Sequence, residues 1–311
     1  MHHGRMQEWL NWHAWKVCRL FTGPPGFESP SFRQSRYLPL SAIDTMEIMT
    51  LSKLVQFHNE ANVGVFLRGI HSIGDGWWYA QGQSGIDDCY WNYAYRVDGR
   101  APSKGDMAQI STYCRQYGYP LNIWTTDSLN DMSFSLESRE AWMVLADDTA
   151  LIDCSTVDTS GISVAVVNRP DKDMLMVFEA AYGTSEEEGE GIGYSGLPFA
   201  YVRSYAQQEP KHPLINAVHS KVTVDGRCVA VGSALVGPDV GAIYSVGTAP
   251  DSRRKGYGSL ATKAIVREVN ARFTHDNPTI LLQTKADSPV EEMYSSLGFE
   301  RVTCGKLYSG E

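Results

Sequence analysis

Residues 246–260 read VGTAPDSRRKGYGSL, with Arg253, Arg254 and Lys255 set directly before Gly256, Tyr257, Gly258 and Ser259. The run GAIYSV (241–246) before this loop reads as a strand, and SLATKAIVREVNARF (259–273) after it reads as a helix, so the glycines fall where a strand turns into a helix. The first N–H groups of a helix have no partner within it, and that end carries partial positive charge. Glycine lets backbone approach an anion closely, and the basic side chains neutralise its charge. The loop therefore reads as a pyrophosphate cradle. The dinucleotide fingerprint G-x-G-x-x-G does not fit it, because the spacing is one short and the strands before it read as antiparallel hairpins.

Working outward, AVHSKVTVDGRCVAVGSALVG (217–237) reads as a hairpin turning at Asp225-Gly226, with residues 241–249 as the next strand of the meander. TILLQTK (279–285) is a strand. SPVEEMYSSLG (288–298) is a helix with Ser288 as N-cap and Gly298 past its end, and FERVT (299–303) is a closing strand. Upstream, MLMVFEAAYG (174–183) starts a helix-like or strand–helix unit, AYVRSYAQQ (200–208) is helix-like, and TSEEEGEGIGYSG (184–196) between them is an acidic loop.

The first half carries a looser copy of the same order. YWNYAYRV (90–97) reads as a strand, DGRAPSKG (98–105) as a glycine-containing loop, DMAQISTYCRQYG (106–118) as a helix and YPLNIWTT (119–126) as a strand. Its loop has one Arg and one Lys but no G-x-G. Residues 45–62 read as an amphipathic helix, VGVFLRGI (63–70) and EAWMVLAD (140–147) as strands, and the first forty residues as an irregular extension.

Residues 217–303 resemble the core of the GNAT family, the GCN5-related N-acetyltransferases, in Tyr244-Ser245-Val246-Gly247-Thr248, Pro250, the Arg253 to Gly258 loop and MYSSLGFERV (293–302). The resemblance implies an α/β fold of tandem GNAT-like domains, each a mixed, mostly antiparallel sheet flanked by helices. Residues 1–40 would be the extension, 41–155 a degenerate GNAT-like domain and 156–311 the catalytic domain. It implies acetyl-CoA as acyl donor, with no metal. Amides of Val246 and Thr248, with Gly247 between them, would orient the thioester arm, and Arg253, Arg254, Lys255, Gly256, Tyr257, Gly258 and Ser259 would hold the pyrophosphate. Tyr294 would protonate the departing thiolate. Many GNAT enzymes carry a glutamate on the strand before the cradle as base, and GAIYSVGT has none. Tyr244 and Glu179 are the candidates, and Glu179 is preferred because a tyrosine near its reference pKa of about 10 is a poor base at neutrality.

The implied function is N-acetyl transfer to a primary amine of a small molecule by direct attack. A non-catalytic acyl-CoA sensor or scaffold is the first alternative, and a GNAT-like transferase using aminoacyl-tRNA the second. The chain has 36 acidic against 27 basic side chains, so its long-range field repels phosphate and argues against a nucleic-acid or anionic-membrane partner. Six scattered cysteines without CxxC spacing point to neither zinc nor a disulfide framework, which suits a cytoplasmic protein. His58, His71, His212 and His219 show no ligand spacing. No stretch approaches the roughly 20 apolar residues of a membrane span.

Overall fold

The computed structural model describes residues 50–129, 131, 133–146, 161–183, 197–273 and 278–310. The N-terminal extension, the acidic run Glu186, Glu187, Glu188 and Glu190, and the expected boundary near residue 155 lie outside the described residues.

In the first half, α1 (Leu51–Ala61) leads into β1 (Leu67–Gly74), β2 (Trp77–Gly82), β3 (Tyr93–Arg96), α2 (Lys104–Tyr117), β4 (Asn122–Thr125) and β5 (Phe134–Leu145). The second half continues with β6 (Ile162–Val167), α3 (Lys172–Tyr182), α4 (Phe199–Gln207), β7 (Asn216–Val224), β8 (Arg227–Val236) and β9 (Val240–Thr248). It closes with α5 (Tyr257–Arg272), β10 (Thr279–Lys285), α6 (Pro289–Ser295) and β11 (Phe299–Gly310). Local chemistry sets the boundaries. Gly118 ends α2 in the left-handed region, Ser288 caps α6 through the Glu291 amide, and Asp225 and Gly226, both at positive φ, turn the β7–β8 hairpin.

Both strand–loop–helix–strand units produce a parallel pair, β3 with β4 and β9 with β10, and every other pairing between named strands is antiparallel. The two halves share one 11-stranded sheet in the order β1-β2-β3-β4-β11-β5-β10-β9-β8-β7-β6. Each half has given its last strand to the other. β5 pairs with β10 from Leu281↔Val144 to Lys285↔Glu140, while β11 pairs with β4 from Lys306↔Thr125 to Ser309↔Asn122. The two exchanged strands also pair with each other along their length, from Phe299↔Leu145 to Gly310↔Phe134.

Packing follows from this exchange. On one sheet face, α5 and α6 cover Met143, Ile243, Leu282 and Phe299. On the other, a continuous core joins Leu54, Phe66 and Trp91 of the first half to Phe178, Tyr205, Tyr244 and Leu281 of the second. Burying a side chain of this size contributes about 1.5–3 kcal/mol, so much of each half's stability resides in contacts with the other. Gly305 is required at its position. A Cβ there would lie 2.6 Å from Trp124 Nε1 and 2.9 Å from Trp142 Nε1.

Two histidines inside this core tie stability to pH. Burial lowers His58 to about 3 and His219 to about 4. Each is neutral when folded but takes a proton near its ordinary 6.5 when unfolded. Their contribution is therefore complete above that value and is lost as pH falls toward 3–4, by about 1.4 kcal/mol per pH unit for each ring. The urea midpoint is expected to drop steeply from pH 6.5 to 4.5, and a flat midpoint across that window would show that both rings are solvated.

Candidate active site

The site begins where two strands part. β9 and β10 run paired from Val240↔Thr279 to Ile243↔Leu282 and no further. Beyond that point β9 stays with β8, pairing Gly247↔Val231 and Thr248↔Ala230, while β10 stays with β5. The last five residues of β9, Tyr244 to Thr248, thus have no β10 partner. A bulge between the Ser233↔Tyr244 and Val231↔Gly247 pairs turns the strand, and Ser245 within it adopts φ 53. That conformation is costly for a residue with a Cβ and is characteristic of functional sites.

The amide of Ala249 donates to Val229 of β8, so alternation along the strand turns the Thr248 amide toward the gap. Val246 lies in the bulge, where its carbonyl accepts from the Tyr182 hydroxyl at 2.7 Å. Gly247 admits α3 to this point, since a Cβ would come within 2.8 Å of the Ala181 side chain.

The loop after β9 has the conformation of a cradle. Arg254 and Gly256 are both at positive φ, 62° and 83°, and Gly256 forms the N-cap of α5. No side chain caps that helix end, and nothing lies within 4 Å of where a Gly256 Cβ would stand. Arg254 and Lys255 are exposed, and Lys255 Nζ donates to the Asp251 carbonyl. Arg253 reaches the other way, with Nη2 donating to the Ala181 carbonyl at 3.0 Å near the end of α3. Tyr257, Gly258 and Ser259 make up the first turn. A Gly258 Cβ would stand 3.2 Å from Thr248 Oγ1 and 3.7 Å from Met293 Sδ, so the cradle abuts both the tip of β9 and helix α6.

The corresponding loop of the first half is closed. Ser103 and Asp106 form a reciprocal capping box at the start of α2, and the Asp127 carboxylate accepts from the Ala101 amide at 2.8 Å. Here the Ser103 hydroxyl takes the Asp106 amide of the first turn, and the two carboxylates take the Ser103 and Ala101 amides before it, whereas no side chain caps α5.

Tyr294 stands beside Met293 on α6, buried and edge-on to Phe299 with ring centres 6.0 Å apart. Glu179 lies on α3, one turn before Tyr182, and shares its face. It is half-buried, and desolvation raises its carboxyl above the usual glutamate value. Tyr244 is a different case. Its hydroxyl lies 3.2 Å from His58 Nδ1 on α1 and accepts from Nδ2 of Asn62, the residue that ends α1, at 3.1 Å. The hydroxyl is thus held by two side chains of the first half. The structure thus brings together the end of β9, the cradle and the helix of Tyr294, with Glu179 on the adjoining helix, while Tyr244 is engaged across the two halves. Sequence reading missed Tyr182, although its place three residues after Glu179 was a usable signal. It also missed His58 and Asn62, whose partner is more than 180 residues away.

Comparison with known proteins shows what this arrangement is similar to. The family described as FR47-like protein matches residues 224–306, from the β7–β8 turn through most of β11. The fold is the one that solved GNAT structures share.

The solved GNAT structures it is similar to include a GCN5-related N-acetyltransferase from Kribbella flavida, at 16% identity and a TM-score of 0.56, with 86% of this chain and 96% of that chain covered. A tandem GNAT protein from the clavulanic acid biosynthesis pathway aligns at 14% identity and TM-score 0.52, over 70% of this chain and 75% of that one. A conserved protein of unknown function from Staphylococcus epidermidis aligns at 13% identity and TM-score 0.51, over 72% and 86%. At these identities the likeness is one of fold, and the fold is the mixed α/β GNAT fold in tandem form. Among the described residues, no group of three His, Cys, Asp or Glu side chains is placed to hold a metal ion, and no helix is long and apolar enough to cross a membrane.

Proposed function

We propose that this GNAT chain transfers the acetyl group of acetyl-CoA to a primary amine of a small molecule. The observation that carries the proposal is the parting of β9 from β10 after Ile243, directly beside the uncapped, glycine-lined start of α5. An opening through the sheet next to an anion cradle suits a ligand with a pyrophosphate at one end and a reactive group at the other. The residues present fit it. The N–H groups around Gly256 and Gly258, with Arg254, Lys255, Tyr257 and Ser259, would hold the pyrophosphate. Arg253, already bonded to Ala181, would brace α3 against the loop. When bound, acetyl-CoA supplies an acyl group activated by its bond to sulfur.

The chain's own groups do the rest. The Thr248 amide and the bulge at Val246 and Gly247 orient the acyl carbonyl, holding it where an amine entering from the α3 side can reach it. Glu179, raised by burial, accepts the amine proton. Tyr244 is not that base, because its hydroxyl is fixed between His58 and Asn62. Tyr294 holds the proton that the leaving sulfur requires. The first half binds no coenzyme, because Asp106 and Asp127 repel a phosphate from the start of α2, and it serves instead as a wall of the acceptor site.

Release of free thiol from acetyl-CoA across a panel of small amines tests this reading. Tight binding of acetyl-CoA without turnover on any amine would make the chain a binder instead. The cradle has its own test. Gly256→Val forces a β-branched residue to a φ of 83° and places methyl groups over the phosphate position. The acetyl-CoA Kd is expected to rise about tenfold or more, and unchanged affinity by calorimetry would overturn the cradle assignment.

A further inference from the structure

The sheet face opposite α5 and α6 holds several buried polar atoms that have no hydrogen-bond partner among the described residues. They include the donors Trp124 Nε1, Trp142 Nε1 and Gln283 Nε2, and the acceptor Asn62 Oδ1. Trp124, Trp142 and Asn62 are 3%, 2% and 0% exposed. These atoms belong to one neighbourhood. Gln283 and Trp142 are paired in register, so their side chains share a face, and the β9–β10 ladder puts Tyr244 on that face also. The Trp124 and Trp142 rings are 5.2 Å apart, and Trp142 lies 5.3 Å from the His58 ring that holds Tyr244. Both indole nitrogens pack on Gly305, at 2.6 and 2.9 Å from where its Cβ would stand, and so lie near one another. The cluster flanks the point where β9 and β10 part.

Buried donors without partners cost free energy, and one such group in a native structure calls for an explanation. Here three donors lie together on that side of the gap, within an aromatic core. Neutral N–H donors in a low-dielectric wall favour an sp² oxygen, and the Asn62 oxygen favours an N–H. On the reading of the chain as an N-acetyltransferase, we infer that Trp124, Trp142 and Gln283 form a subsite for an oxygen carried by the acceptor, so that the acceptor is a compact amine bearing a carboxylate or carboxamide close to its nitrogen. The exchanged strands make this subsite. Trp124 and Trp142 come from the first half and Gln283 from the second, and Gln283 meets Trp142 because β5 pairs with β10.

Alanine, alaninamide and isopropylamine share one carbon skeleton and differ only in the oxygen-bearing group. In ¹H–¹⁵N spectra of the full chain with coenzyme A, the indole resonances of Trp124 and Trp142, assigned through Trp124→Phe and Trp142→Phe, are expected to move with alanine or alaninamide and not with isopropylamine. Movement with alanine alone identifies a carboxylate, and movement with both identifies the shared carbonyl oxygen. In turnover, the oxygen-bearing acceptors are expected to have kcat/KM at least tenfold above isopropylamine. Gln283→Leu should raise the acceptor KM about tenfold while leaving the acetyl-CoA KM unchanged. Indole resonances unmoved by all three compounds, or moved equally by isopropylamine, would overturn the subsite. Indole shifts without any acetyl transfer would support the subsite and refute the transferase reading instead.

Discussion

Tyr294→Phe is expected to lower kcat by roughly 10²–10⁴ while leaving the acetyl-CoA KM nearly unchanged. The substitution keeps the ring and its edge-on contact with Phe299, so packing of α6 against the sheet survives and only the hydroxyl is lost. A group that donates a proton only as the sulfur leaves contributes to the transition state and not to binding, which is why the loss should appear in kcat. If the alkaline limb of the pH profile reports this tyrosine, it should vanish in the variant. Wild-type kcat, measured where chemistry limits turnover, would show that another group protonates the sulfur.

Glu179→Gln is the second large effect, also about 10²–10⁴ in kcat/KM if Glu179 takes the amine proton. Its direction with pH follows from burial. Desolvation raises the carboxyl above its ordinary value, so the base is protonated and idle at low pH and becomes active as pH rises through the raised value. The acid limb should therefore lie above the usual glutamate range and disappear in the glutamine variant. Stability moves the other way. A carboxyl whose folded value is raised weakens the fold as pH climbs past its unfolded value, so the neutral amide should not lower the unfolding midpoint at pH 7. Lost activity with an undiminished midpoint separates a catalytic role from a structural one. Full activity would exclude Glu179 as the base and leave the proton to another group.

The legible parts of the molecule were those written in contiguous residues. The cradle is one stretch from Arg253 to Ser259, and its strand, left-handed glycine and helix were all present in the order of the chain. The repeated strand–loop–helix–strand unit was legible for the same reason, and so was the Asp225-Gly226 turn. What escaped was long-range pairing. FERVT reads as a short closing strand, yet β11 continues to Gly310, because its later residues pair with β4, roughly 180 positions earlier. No local periodicity encodes a partner at that distance. β2 and β6 were missed on different grounds. WWYAQG is buried at most positions with no alternation to mark it, and ISVAVV, at the sheet edge, exposes valines that would read as core. The His58–Asn62–Tyr244 contact escaped because the spacing of a lone histidine carries no signal about a tyrosine brought to it by a strand of the other half.

The exchange of last strands also orders events during synthesis. A ribosome delivers β5 long before β10 exists to receive it, and the slot between β4 and β5 stays open until the final dozen residues of β11 emerge. Neither half can complete its sheet as it is made, so the usual N-terminal-first schedule of multidomain chains is closed to this one. Both halves must be finished together, only once β11 has been made, with closure of a long loop as the slow step. Until then two unfilled strand edges stand exposed on the nascent chain, the same kind of surface on which aggregation begins.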